Sequence, residues 1–255
     1  MKSKQKGVTL VELMVALVIA SFLIGGMVLI FLSGRSSFMT QEQVGRMQEN
    51  GRYAYELIKH EVQNAGYHHE AWEVPQLGYG LTVNTVDGSG AAPDTLEVQY
   101  ESDKDCFDNY NTNTVAVVQP NGTAINIPAQ YQRLVRFTVV NDQLIYTCSY
   151  GQINGVLTQQ VNASVADGVE NLQVQFGEDT NGDLSANNWV DDVSTIDLFN
   201  VISLRVGMVV RTPETITIEQ DTETYDLYAA TTTAANDNRL RRVWGGEIAL
   251  RNSTL

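Results

Sequence analysis

From Val8 to Leu32 the chain reads VTLVELMVALVIASFLIGGMVLIFL, with only Thr9, Glu12 and Ser21 as polar interruptions. As a helix this run measures roughly 37 Å, enough to cross a bilayer with some tilt. A secretory signal has a shorter apolar core followed by a small-x-small cleavage site. Here the core runs into Ser33-Gly34-Arg35 with no Ala-x-Ala pattern. Lys2, Lys4 and Lys6 precede the run. Positive charge stays on the cytoplasmic side, so everything after Leu32 is expected across the membrane.

Glu12 is the anomaly in this segment, because a carboxylate inside a membrane helix costs a few kcal/mol and signals a partner or a function. Lysines, then Gly7, then VTLVELMVAL resemble the class III signal of the type IV pilin and type II secretion pseudopilin superfamily. The resemblance implies that a membrane-embedded prepilin peptidase cuts between Gly7 and Val8 and methylates the new Val8 amine. Glycine suits the cut site because it has no side chain to obstruct close approach. Family members usually carry Phe at the position of Val8, so this chain departs there. By the same analogy Glu12 pairs with the N-terminal amine of a neighbouring subunit, an attraction strengthened in a low dielectric. Gly25-Gly26 suits a bend or a close helix contact.

Beyond the membrane run, Val44, Met47, Gly51, Ala54, Ile58, Val62 and Ala65 recur at spacings of three and four. That period marks a helix with one apolar or small face, continuing to about Ala65 and closed at Gly66. Three segments are similar to PilW-type minor pilins: ENGRYAYELIKHEVQNAGY from Glu49, LFNVISLRVGMVVRT around Arg205, and LRRVWGGEIALRN near the C-terminus.

After Gly66 the pattern changes to short β-rich runs: LTVNTV, TLEVQY, TVAVV, LVRFTVV, QLIYTCS, VENLQVQFG and VISLRVGMVV. An antiparallel sheet lying against the amphipathic half-helix is expected, with Asn141-Asp142 as a hairpin turn. Thr222 to Asn238 is expected as a surface loop. The fold class is therefore α+β. The expected divisions are a leader at 1–7, a membrane and assembly half-helix at 8–32, an amphipathic half-helix at 33–66 and a β-rich globular domain at 67–255.

Cys106 and Cys148 suit either a reduced buried pair or one disulfide, and only the compartment decides between them. Both follow the membrane run, and the resemblance makes the far side an oxidising periplasm. One disulfide is the expectation.

The formal net charge is −14, and removal of the three leader lysines takes it to about −17, which makes the body a poor partner for nucleic-acid phosphates. Arg239, Arg241 and Arg242 are the one basic cluster. Asp179-Thr180-Asn181-Gly182-Asp183 alternates carboxylate and amide oxygens as calcium loops do. Leu184 then stands where such a loop needs Gly, so a polar hairpin tip is the expectation. His60, His68 and His69 have no ligand spacing and are expected to be solvated near the helix end. Gly78-Tyr79-Gly80 and Asp87-Gly88-Ser89-Gly90 lack the strand-to-helix context of a phosphate loop. No catalytic set, metal site or cofactor is expected.

The expected role is that of a minor pilin of a type IV pilus, helping to initiate the filament and placed near its tip. Its implied partners are other minor pilins, the major pilin, the prepilin peptidase and the inner-membrane assembly platform. Its implied location is the bacterial inner membrane, single-pass with a periplasmic body, and then the filament. The alternatives are a J-type pseudopilin of type II secretion, a membrane-anchored periplasmic enzyme, and a tip adhesin or DNA-uptake receptor.

Overall fold

The computed structural model describes residues 7–68, 80–81, 85–88, 90–118, 123–153, 155–216 and 220–252. Two compact units divide at Gly45 and Arg46, and one helix, α1 (Leu10–Asn64), runs through both. In the N-terminal unit the apolar side chains from Leu10 to Leu32 are exposed all round. This is the one helix among the described residues long and apolar enough to cross a membrane.

In the second unit the helix is amphipathic. Met47, Ala54, Ile58, Val62 and Ala65 are buried at the expected spacing. Gly66, at φ +76°, ends the helix in the left-handed conformation. Asn252 Nδ2 donates to the carbonyls of Gln63 and Ala65, both at 3.3 Å, satisfying acceptors that a helix end leaves open.

Among the described residues thirteen strands follow: β1 (Gly80–Leu81), β2 (Leu96–Ser102), β3 (Thr114–Val118), β4 (Ala124–Pro128), β5 (Tyr131–Val140), β6 (Gln143–Gln152), β7 (Thr158–Asp167), β8 (Val169–Glu178), β9 (Asn188–Val190), β10 (Val201–Arg211), β11 (Thr224–Asp226), β12 (Thr231–Thr233) and β13 (Arg241–Ala249). They form two principal antiparallel sheets rather than the single sheet expected. One has the order β1-β2-β5-β6-β7 and the other β13-β10-β8-β9; β3–β4 and β11–β12 are separate two-stranded ribbons. The chain changes sheets at Gly168, where φ is +80° and an added Cβ would lie 2.5 Å from the Arg211 carbonyl oxygen. Only glycine turns there without strain. Leu96, Val98, Val135, Phe137 and Leu144 supply core from the first sheet, and Leu172, Val174, Phe176, Leu204, Val206 and Met208 from the second.

The Asn141-Asp142 turn forms, with φ of +51° and +59° and Val140 opposite Gln143, as a two-residue hairpin of the right twist requires. LTVNTV reaches strand only at Leu81 and an isolated bridge at Val86, and 82–84 lie outside the described residues. The stretch from Thr222 to Asn238 is more than a surface loop. It carries β11 and β12, and Leu227 between them is fully buried against Gly207 of β10.

Gly51 meets the Trp244 indole so closely that a Cβ would stand 2.4 Å from Nε1. Gly51→Ala improves helix propensity by about 1 kcal/mol but forces a rigid ring out of its seat, at roughly 1–3 kcal/mol. A net loss in unfolding free energy is expected. Gly45→Ala, whose Cβ meets nothing within 4 Å, should be neutral or stabilising. Denaturant unfolding in detergent checks both, and equal effects would overturn the packing account.

Asp94 latches the segment before β2 to the second sheet. Its carboxylate accepts the Gly88 N–H at 2.8 Å and the Val174 N–H at 2.7 Å. Burial pushes its pKa up to about 6, the two hydrogen bonds oppose the shift, and the charges of Asp87 and Asp191 add to it. Between about 4 and 6 the folded chain therefore keeps a proton that the unfolded chain has released. This group's contribution is most favourable below that window and is lost as pH rises through it. The stability difference between wild type and Asp94→Asn should shift toward the variant from pH 4 to 7. A difference independent of pH would refute this.

Candidate assembly and processing site

The N-terminal site is built on the first turn of α1. Thr9 precedes the helix and Glu12 is its third residue. The Thr9 hydroxyl accepts the Glu12 N–H, while Glu12 Oε2 accepts both the Thr9 N–H and the Thr9 hydroxyl, each at 3.3 Å. This reciprocal arrangement is a capping box, which satisfies two donors that a helix start leaves open. It also puts a negative group against the positive end of the helix dipole. The carboxylate is folded back onto Thr9 rather than out along the helix. No hydrogen bond to its second oxygen, Oε1, is found among the described residues. A Cβ on Gly7 would meet nothing within 4 Å among the described residues.

A second polar centre lies where the helix meets the first sheet. Glu61 is buried, and the Tyr100 hydroxyl donates to its Oε2 at 2.5 Å and the Tyr146 hydroxyl to its Oε1 at 3.5 Å. Arg133 lies over the Tyr100 ring and donates to the Tyr146 hydroxyl at 3.3 Å. Burial, then the charge of Glu61, raises both phenols, Tyr146 to about 12. Neither phenol ionises at neutral pH, and their hydrogen bonds to Glu61 register the helix on the sheet. Sequence reasoning passed over Glu61. Its signal was available, because it continues the apolar stripe from Ala54 through Ile58 to Ala65.

Cys106 and Cys148 are disulfide-bonded with Cα atoms 5.9 Å apart, and Cys148 is fully buried. The bond fastens the segment after β2 across β6. Within that segment the Asp105 carboxylate accepts the N–H groups of Phe107 and Asn109, so the loop is folded on itself as well as tied.

Other sequence candidates resolve into structural roles. His60 is exposed beside Glu61, but His68 is largely buried, with Nδ1 3.4 Å from Glu101 Oε2, and is not the solvated residue expected. His69, Gly78 and Tyr79 lie outside the described residues. Asp179 to Asp183 form the tip between β8 and β9, and Leu184 adopts φ +64°. Asp179 accepts the N–H groups of Asn181, Gly182 and Leu184. Among the described residues no group of three His, Cys, Asp or Glu side chains could hold a metal ion.

Of the basic cluster only Arg242 is exposed. Arg241 has a fully buried side chain bonded to Glu170, Asp221 and Asp237. Arg239 donates to the carbonyls of Thr212 and Pro213, and Arg211 joins Asp142 and Glu170. The Arg241 hydrogen bond holds Asp237 below the usual carboxylate range. Arginines that look available in the sequence are consumed by acids up to 71 residues away.

Residues 136–252 match the family model for type IV pilus-assembly protein W, and residues 2–28 match the prokaryotic N-terminal methylation motif. No curated protein matches the chain. Among solved structures, a type IV-like pilin from Thermus thermophilus is 14% identical, over 82% of this chain and 98% of its own, with a TM-score of 0.48. With its methylation motif leading an apolar helix and its W-type match running from within β5 through β13, the chain is similar to the PilW-type minor pilins over these two segments.

Proposed function

We propose that the chain is cut between Gly7 and Val8, methylated on the Val8 amine, and built into a type IV pilus as a minor subunit that helps to start the filament and stands near its tip. In this reading 1–7 is the leader, 8–32 the membrane and assembly half-helix, 33–66 the amphipathic half, and 67–255 the periplasmic body. The protein waits in the inner membrane as a single-pass subunit. Its partners are other minor pilins, the major pilin, the prepilin peptidase and the assembly platform. The observation that supports this most is the Glu12 carboxylate, folded onto Thr9 at the helix start with Oε1 left to take a second donor in an otherwise apolar segment. A neighbour's Val8 amine is such a donor, and pairing relieves both desolvated charges. Intact-mass measurement of protein from the cell envelope tests the processing step: the mature chain should begin at Val8 with a methylated amine. A chain retaining Lys2 to Gly7, or starting after Leu32, would sink this reading.

A further inference from the structure

On β10 the side chains of Leu204, Val206 and Met208 are fully buried, so Arg205 between them projects from the opposite face of the second sheet. The register sets Glu247 of β13 on one side of it and Gln175 of β8 on the other. Its guanidinium lies on the Trp189 ring of β9, with Cζ 3.6 Å from the ring centroid, and the Tyr228 ring stands 6.0 Å from the same atom. The indole holds the guanidinium plane in place.

Arg241 spends its guanidinium on Glu170, Asp221 and Asp237. Arg205 does not. Glu247 Oε2 is 3.5 Å from its Nε, an ion pair without a hydrogen bond, and the side chain is 33% exposed. Among the described residues the guanidinium donates no hydrogen bond to the protein. Gln175, opposite it, is turned to Asp191, to which its Nε2 donates at 2.9 Å. The neighbouring ring is presented in the same way. Tyr228 is 48% exposed and held at φ +71°, a conformation that a bulky side chain adopts only where its surroundings impose it. Leu227 before it is buried against Gly207, and that anchor keeps the ring beside Arg205.

We propose that Trp189, Arg205 and Tyr228 form a binding site for an acidic sugar, whose carboxylate takes the free N–H donors of Arg205 and whose ring lies on Tyr228. A planar guanidinium with parallel N–H donors matches the two oxygens of a carboxylate. A phosphate brings a second negative charge to a place already flanked by Glu247 and Asp191. A neighbouring protein would surround its anchor with an apolar core, whereas Gln175, Asp191 and Glu247 stand around this one and suit hydroxyl groups. The C–H face of a pyranose is its apolar part, and an exposed phenol ring is an apolar surface of matching size.

Glucuronate is the probe, titrated calorimetrically into the full chain in detergent, with glucose and acetate as comparisons. Glucuronate should bind about tenfold or more tightly than glucose, which lacks the carboxylate, and than acetate, which lacks the ring; tenfold corresponds to 1.4 kcal/mol. Arg205→Lys keeps the charge but removes the planar donors and the stacking, and should weaken glucuronate by about tenfold or more. Tyr228→Gly removes the ring and suits a backbone at φ +71°, so its melting temperature should not fall. That variant should bind glucuronate no better than acetate. The site is overturned if the wild type binds glucose or acetate as tightly as glucuronate, or if either variant binds glucuronate like the wild type. If glucuronate does not bind, and Arg205→Lys is lost from sheared filaments at normal membrane abundance, the arginine serves an acidic side chain of a neighbouring subunit and the sugar site is overturned as well.

Discussion

Glu12→Ala is expected to leave membrane abundance and cutting unchanged while lowering this subunit's content in sheared filaments by about tenfold or more, the factor that corresponds to 1.4 kcal/mol. Insertion follows summed hydrophobicity, and replacing Glu with Ala only makes the helix more apolar. Assembly is different. In a nearly dry helix bundle the variant strands the neighbour's amine without a partner, and breaking one side of a buried pair is more costly than never having built it. The substitution also opens the capping box, a loss of about 1 kcal/mol to the helix start. Thr9→Val separates the two effects, because it removes the hydroxyl from the box and keeps the carboxylate. That variant should incorporate near the wild-type level. Gly7→Ala is the third comparison and should block cutting itself. Wild-type incorporation of a cut, abundant Glu12→Ala chain would reduce Glu12 to a helix cap.

Replacing both cysteines, Cys106→Ala with Cys148→Ala, should lower stability by about 4 kcal/mol, the loop-closure value for a crosslink of this span. The bond joins positions 42 apart in sequence. For a body of this size that corresponds to a fall in Tm of roughly 8–16 °C. The effect should be local as well as global, since the tie holds the Asp103–Tyr110 segment across β6. That segment should become the first site of protease nicking. Thermal unfolding in detergent, with and without reductant, checks the magnitude: reductant should bring the wild type to the variant and leave the variant where it was. Identical melting of both chains under oxidising conditions would show that the crosslink contributes nothing.

Legibility in the sequence followed burial. TVAVV coincides with β3, and VISLRVGMVV falls one residue short of β10, because continuous β-branched runs have few alternatives. The amphipathic stripe from Met47 to Ala65 was equally plain. In contrast, β7 (TQQVNASVAD) escaped notice. It is an edge strand exposed over most of its length, so nothing imposes the alternation on which recognition depends. β13 was hidden for another reason. Trp244-Gly245-Gly246 reads as a strand breaker, yet a Cβ on Gly245 would come within 2.2 Å of the Val206 carbonyl, and one on Gly246 within 2.6 Å of the Tyr55 hydroxyl. Close approach, not flexibility, explains those glycines. The division into two sheets was not legible because it depends on the Gly168 crossing. At the N-terminal site, the resemblance carried by residue types and spacing pointed to Gly7, Val8 and Glu12 as the residues to test. The orientation of the Glu12 carboxylate, and its reciprocal bonds with Thr9, required coordinates.

The seating of Trp244 against Gly51 also bears on how the body would hold α1 under load. Tension arriving along α1 pulls its Arg46–Asn64 part lengthwise over the sheets, a geometry of shear in which contacts must yield together. The indole in the Gly51 gap then behaves as a detent. The residues one turn away, Met47 and Tyr55, have side chains where Gly51 has none. For the helix to slip by a turn, the ring must be lifted over a side chain. Resistance to pulling is concentrated at one aromatic–glycine pair, and the Asn252 clasp on Gln63 and Ala65 backs it at the far end of the same helix.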